Sequence, residues 1–134
     1  MKRLLLAGTA LAGLALPALA EDITVGFAIA KSGWMEAYDT PAATAARIRI
    51  EEINAAGGLL GSQIRVVEAD TRTDRAEAAK AGLALLDEGA QMMVVSCDYD
   101  FGAPSALVAE GEGMNSFFLC AEDVKAGIQG VGPN

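Results

Sequence analysis

Residues 64–95 read IRVVEADTRTDRAEAAKAGLALLDEGAQMMVV, and this stretch decides the fold. It opens on Ile64-Arg65-Val66-Val67-Glu68-Ala69, a β-branched run that reads as a strand. A polar connection, residues 70–73, follows. Asp74 with Glu77 three positions on has the spacing of a capping box, which satisfies the free N–H groups of a helix start. Ala79, Gly82, Leu83 and Leu86 then recur at helical spacing, and Gly89 stops the helix. Met92-Met93-Val94-Val95 makes the next strand. Strand, helix and strand joined by short turns form a right-handed crossover between parallel strands.

The same grammar extends in both directions. Toward the amino end, Ile23-Thr24-Val25-Gly26-Phe27-Ala28-Ile29 is an almost unbroken apolar run, as expected of a strand covered on both faces. After the loop 30–34, Thr40-Pro41 is the predicted helix start, with Thr40 as cap and Pro41 in the first turn. Ala42, Ala46, Ile50 and Ile53 lie along one helical stripe, while Arg47, Arg49, Glu51 and Glu52 mostly face away. Gly57-Gly58 ends the helix. Toward the carboxyl end, the polar loop 96–100 leads to a shorter helix near residues 104–110, and Ser116-Phe117-Phe118-Leu119 is the fourth strand. Residues 120–134 are glycine-rich without periodicity.

These alternations predict an α/β fold: a parallel sheet with helices on both faces, doubly wound in the flavodoxin-like manner. The second strand is expected beside the first, on the side opposite the third. Ligand crevices in such sheets open at the carboxyl ends of the strands, here residues 30–34, 70–74, 96–101 and 120–123. Nothing evident follows the fourth strand as a neighbour, so residues 21–134 read as an incomplete lobe.

The first twenty residues stand outside that fold. Met1-Lys2-Arg3 is a positive start, residues 4–16 are an apolar run too short to span a bilayer comfortably, and Pro17-Ala18-Leu19-Ala20 ends in small residues. This is the pattern of a cleavable secretory signal, and the residue after the expected cut, Glu21, is no lipid-attachment cysteine. The expected address is the periplasm. The chain carries a net charge of −8. Without Lys2 and Arg3, eight basic residues face 18 acidic ones, a balance of −10. Such a surface repels phosphate backbones, so no nucleic acid partner is expected.

The chain has no histidine, which removes the usual base of nucleophilic triads and the commonest metal ligand. No phosphate-binding P-loop, nucleophile elbow or dinucleotide turn is present, and no cofactor or metal is implied. Two aspartates, Asp98 and Asp100, flank Tyr99 in a crevice loop, where carboxylates accept from an amine or a sugar hydroxyl, or serve as ordinary loop charge. Trp34, the single tryptophan, offers a wall for a ligand or packs locally. Ser32 and Ser96 bring hydroxyls to the same end of the sheet. The pairs Glu51/Glu52, Glu110/Glu112 and Glu122/Asp123 read as surface charge.

Cys97 and Cys120 each follow a strand, and those strands are expected neighbours. Adjacent strands run about 5 Å apart, within the separation that a disulfide needs. A bridge would stabilise by about 3 kcal/mol in the loop-entropy account. Bridge and free thiols both stay open, because the Cβ directions decide.

Several of these segments together resemble the branched-chain amino acid binding protein family, the type I periplasmic solute-binding proteins of ABC importers. They are residues 23–33 with Lys31-Ser32-Gly33, the block Glu51-Glu52-Ile53-Asn54-Ala55-Ala56-Gly57-Gly58, then Leu59-Leu60-Gly61 with residues 64–68, and Asp70-Thr71-Arg72-Thr73-Asp74. The resemblance implies a two-lobed protein that closes on a small-molecule solute and presents it to ABC permease subunits in the inner membrane. This chain corresponds to part of the amino-terminal lobe. It also implies ligand contacts in the loops after the first, third and fourth strands: Ser32 and Trp34; Ser96, Asp98, Tyr99, Asp100 and Phe101; Ala121 and Glu122. The third loop departs from the family, whose amino acid binders place small hydroxyl residues there. Two aspartates repel a carboxylate, whereas Tyr99 and Phe101 suit a ring, so an aromatic or cationic solute is expected in place of leucine. The rival uses of such a chain are an extracellular sensing domain of a signalling receptor and an exported α/β enzyme.

Overall fold

The computed structural model describes residues 21–121, 124–126 and 130–132. The expected secretory signal lies outside the described residues. Four strands alternate with three helices: β1 (Ile23–Ile29), α1 (Glu36–Ala55), β2 (Ile64–Asp70), α2 (Arg75–Asp87), β3 (Met92–Val95), α3 (Tyr99–Gly111) and β4 (Ser116–Phe118). A short 3-10 turn at Val124–Ala126 follows. All strand pairs are parallel and the order is β2-β1-β3-β4, with β2 and β3 on opposite sides of β1 as expected from the sequence.

Alternate residues of β1 serve two cores. Val25, Phe27 and Ile29 pack with Ala43 of α1, against which Ala46 and Ile50 also lie. Ala28 faces the other layer, with Val67, Leu85, Met93, Val95 and the alanines of α2 and α3. Helices therefore cover both faces, and the alternation of side chains along a strand explains how one apolar run feeds both. Among the described residues no helix is long and apolar enough to cross a membrane.

Three local expectations are corrected. Helix α1 begins at Glu36, so Thr40 and Pro41 lie inside it and not at its start. Pro41 forfeits one helical hydrogen bond, and Asp39, fully buried, explains why the helix begins early (below). Helix α3 likewise begins at Tyr99 and not near Pro104, because Asp98 is its N-cap. The buried stripe of α2 is Ala78, Ala81, Gly82 and Leu85, while Leu83 is exposed. Small residues let α2 and α3 approach closely: a Cβ added to Gly82 would lie 3.1 Å from Val108 Cβ, and the Ser105 hydroxyl donates to the Ala78 carbonyl at 2.6 Å. Asp74 caps α2, accepting from the Ala76 and Glu77 N–H groups at 2.8 and 2.9 Å.

Candidate functional site

The carboxyl ends of β1 and β3 are held by one side chain from α1. Asp39 is fully buried, and its two oxygens accept from the backbone N–H groups of Ala30 and Cys97, each at 2.8 Å. A buried carboxylate is tolerated only when it is hydrogen-bonded, and here both partners are strand-end donors that would otherwise be orphaned. Reaching them requires Asp39 to be already helical.

A second carboxylate ties β2 to the same loop. One oxygen of Asp70 accepts from the N–H groups of Lys31 and Arg72, and the other from the Ser32 hydroxyl, all at 2.8 Å. Burial raises the Asp70 carboxyl, but the bonds from Arg72, Lys31 and Ser32, with the Arg72 charge, outweigh it and hold the group below its ordinary value. Thr73 completes the tie, donating to the Ser32 carbonyl at 2.8 Å and receiving the Met35 N–H at 3.4 Å. Arg72 and Thr73 both stand in the left-handed region, at φ 53° and 55°. That is rare for a β-branched residue and persists only where its surroundings enforce it. Below this layer Glu68 bridges Lys31 and Arg47. Burial raises the Glu68 carboxyl, yet the hydrogen bonds and charges of Lys31 and Arg47 bring it below its ordinary value.

Next to the Asp39 tie lies a depression of about 240 Å³ lined by Trp34, Met35, Tyr38, Cys97, Asp98 and Cys120. Trp34 is 60% exposed and Tyr38 61% exposed, so both rings are available to a ligand. Trp34 meets Tyr38 edge-on at 6.1 Å between ring centres and Phe101 at 5.6 Å. Cys97 and Cys120 are joined by a disulfide with their Cα atoms 4.5 Å apart, which staples the ends of β3 and β4 at the wall of the depression.

The structure brings together some of the residues expected at the rim and separates others. Trp34, Asp98 and Phe101 converge with the disulfide. Tyr99 and Asp100 do not: they line a different depression of about 180 Å³ with Arg75, Ala103, Pro104 and Leu107, where Asp100 forms an ion pair with Arg75. The reason is the early start of α3. Successive helical residues point about 100° apart, so neighbours in the sequence 98–101 cannot all face one rim. Ser32 spends its hydroxyl proton on Asp70. Ser96 is fully buried, and its hydroxyl has no protein partner. Ala121 is partly buried beside Cys120, and Glu122 lies outside the described residues. Sequence reasoning missed Met35, Tyr38 and Asp39. The available signal was a second aromatic, Tyr38, four residues after Trp34. Among the described residues no group of three His, Cys, Asp or Glu side chains is placed to hold a metal ion.

A doubly wound parallel lobe with its crevice at the carboxyl strand ends defines a class of ligand-binding α/β folds. The sequence matches the periplasmic binding protein family over residues 22–131, and the chain belongs to that family. It is 29% identical over 110 residues to the Leu/Ile/Val-binding protein of Escherichia coli strain K12, covering 82% of this chain and 30% of that protein. Among solved structures it is similar to LivJ, the branched-chain amino acid transporter substrate-binding protein of Streptococcus pneumoniae in complex with isoleucine. There the identity is 31% and the TM-score 0.73, over 77% of this chain and 30% of the other. The leucine-binding protein LivK of Thermotoga maritima, at 20% identity and TM-score 0.71 over 81% of this chain and 30% of that one, shares the fold. The chain thus spans about 30% of the length of the relatives it matches. The parallel sheet and flanking helices expected from the sequence are those of this family's α/β lobe.

Proposed function

We propose that residues 21–134 form part of the amino-terminal lobe of a periplasmic solute-binding protein, exported by the signal in residues 1–20. The lobe captures a small amino-acid-like, amide, aromatic or cationic solute against a second lobe and delivers it to ABC permease subunits. One observation carries this reading: Trp34, Tyr38, Asp98 and the Cys97–Cys120 bridge, from the segments that follow β1, β3 and β4, surround one depression at the carboxyl ends of the strands. Family membership and relatives described as transporter binding proteins support it. The residues lining the depression offer exposed rings and one carboxylate, chemistry suited to holding a small solute.

The test is a thermal-shift and tryptophan-emission screen of the protein expressed from its complete reading frame, against amino acids, aromatic acids, polyamines and amides. At least one class is expected to raise the melting temperature saturably and to shift the emission of Trp34, with the rise in melting temperature lost in Trp34→Ala. A screen in which no compound does either removes the proposal.

A further inference from the structure

Several backbone donors at the rim are already engaged within the chain. The Ala30 and Cys97 N–H groups go to Asp39, and that of Lys31 goes to Asp70. At the start of α3, the Asp100 N–H goes to the Asp98 side chain at 2.8 Å, and the Phe101 and Gly102 N–H groups go to the Asp98 carbonyl at 3.3 and 2.8 Å. A helix start is a ready anion site only while those donors are free and no negative charge already occupies it. Here the Asp100, Phe101 and Gly102 N–H groups are engaged and a negative charge, Asp98, is built in. The six residues lining the depression include one carboxylate, Asp98, and no lysine or arginine. What they do offer is two exposed aromatic rings with one neutral donor each, the Trp34 indole N–H and the Tyr38 hydroxyl, a thioether, a disulfide and spare lone pairs on Asp98. Aromatic faces attract cations, and a neighbouring carboxylate adds to that attraction.

Resting on the solute-binding reading above, we infer that the solute is an organic cation without a carboxylate. Its ammonium group is placed by Asp98 and the rings of Trp34 and Tyr38. A free carboxylate would face the like charge of Asp98 with only the neutral donors of Trp34 and Tyr38, and no lysine or arginine, among the lining residues, which costs affinity.

Three probes of similar size decide it, titrated calorimetrically into the protein from its complete reading frame: phenethylammonium, phenylacetate and leucine. Phenethylammonium is expected to bind at least tenfold more tightly than either of the others. Asp98→Asn is expected to weaken it at least fivefold with little change in melting temperature, because asparagine caps a helix as well as aspartate does. Phenylacetate or leucine binding as tightly as phenethylammonium, no binding of phenethylammonium, or an unchanged affinity in Asp98→Asn each overturns the inference. Tight leucine or phenylacetate binding would leave the solute-binding reading standing. Silence across the wider screen above would remove both.

Discussion

The carboxylate of Asp39 and the backbone N–H of Cys97 are joined by a 2.8 Å hydrogen bond across 58 residues of chain. With the matching bond from Ala30, this fixes the spacing of the loops after β1 and β3 in the absence of any ligand. Asp39→Ala leaves two buried donors without a partner, at about 1–3 kcal/mol each. The expected loss is roughly 3 kcal/mol in urea unfolding, and Asp39→Asn should recover only part of it, because its amide can accept from one donor but turns N–H toward the other. An Asp39→Ala protein as stable as the parent would show that the strand ends need no tie.

Oxidised protein should present no reactive thiol under denaturing conditions, since Cys97 and Cys120 are paired. The bridge closes a loop of 23 residues in sequence separation. The double variant Cys97→Ser/Cys120→Ser should lose about 3 kcal/mol in denaturant titration, the value for a loop of this length. Two thiols titrating in the purified, non-reduced protein would contradict the pairing.

Stability should fall on acidification, through Asp70 and Glu68. Both carboxyls lie below their ordinary values when folded. A depressed carboxyl contributes fully above its unfolded value of about 4 and loses that contribution as pH drops through the folded value. Urea midpoints measured from pH 7 down to pH 3 should therefore decline below about pH 4. Asp70→Asn should flatten part of that slope and be less stable at neutral pH. A parent and variant with parallel profiles would show that Asp70 is not linked to folding.

Gly33 stands at φ 82°, and a Cβ there would lie 2.5 Å from the Thr73 hydroxyl oxygen. Gly33→Ala is thus both strained and obstructed, and should cost more than about 1 kcal/mol. Because Trp34 is the next residue and the single tryptophan, its emission should shift in the same variant. Emission identical to the parent's would mean that the loop relaxes without moving the ring.

The strands and their order were legible because their signal is redundant. The runs of β1, β2 and β3 are apolar enough to read alone, and parallel crossovers leave few arrangements. Helix starts were less legible: Thr40-Pro41 has the grammar of a cap, but the tertiary bonds of Asp39 override it. In α2 the large Leu83 drew the stripe one residue off, since tight helix contact is made by Ala78, Ala81 and Gly82, whose small size gives little periodic signal. At the rim, the sequence places Tyr99 and Phe101 in one loop, yet the helical turn that begins between them and Asp98 sends them to different sides. Tyr38 escaped notice for the converse reason: it belongs to a helix and reaches the crevice from its first turn.

The strand order β2-β1-β3-β4 has a consequence for a chain that emerges amino end first. β1 is made first and ends up inside the sheet, β2 docks on one flank of it, β3 on the other, and β4 on β3. Each newcomer meets a vacant border, so no earlier pairing has to be undone to admit a later one. Vectorial assembly can proceed without backtracking.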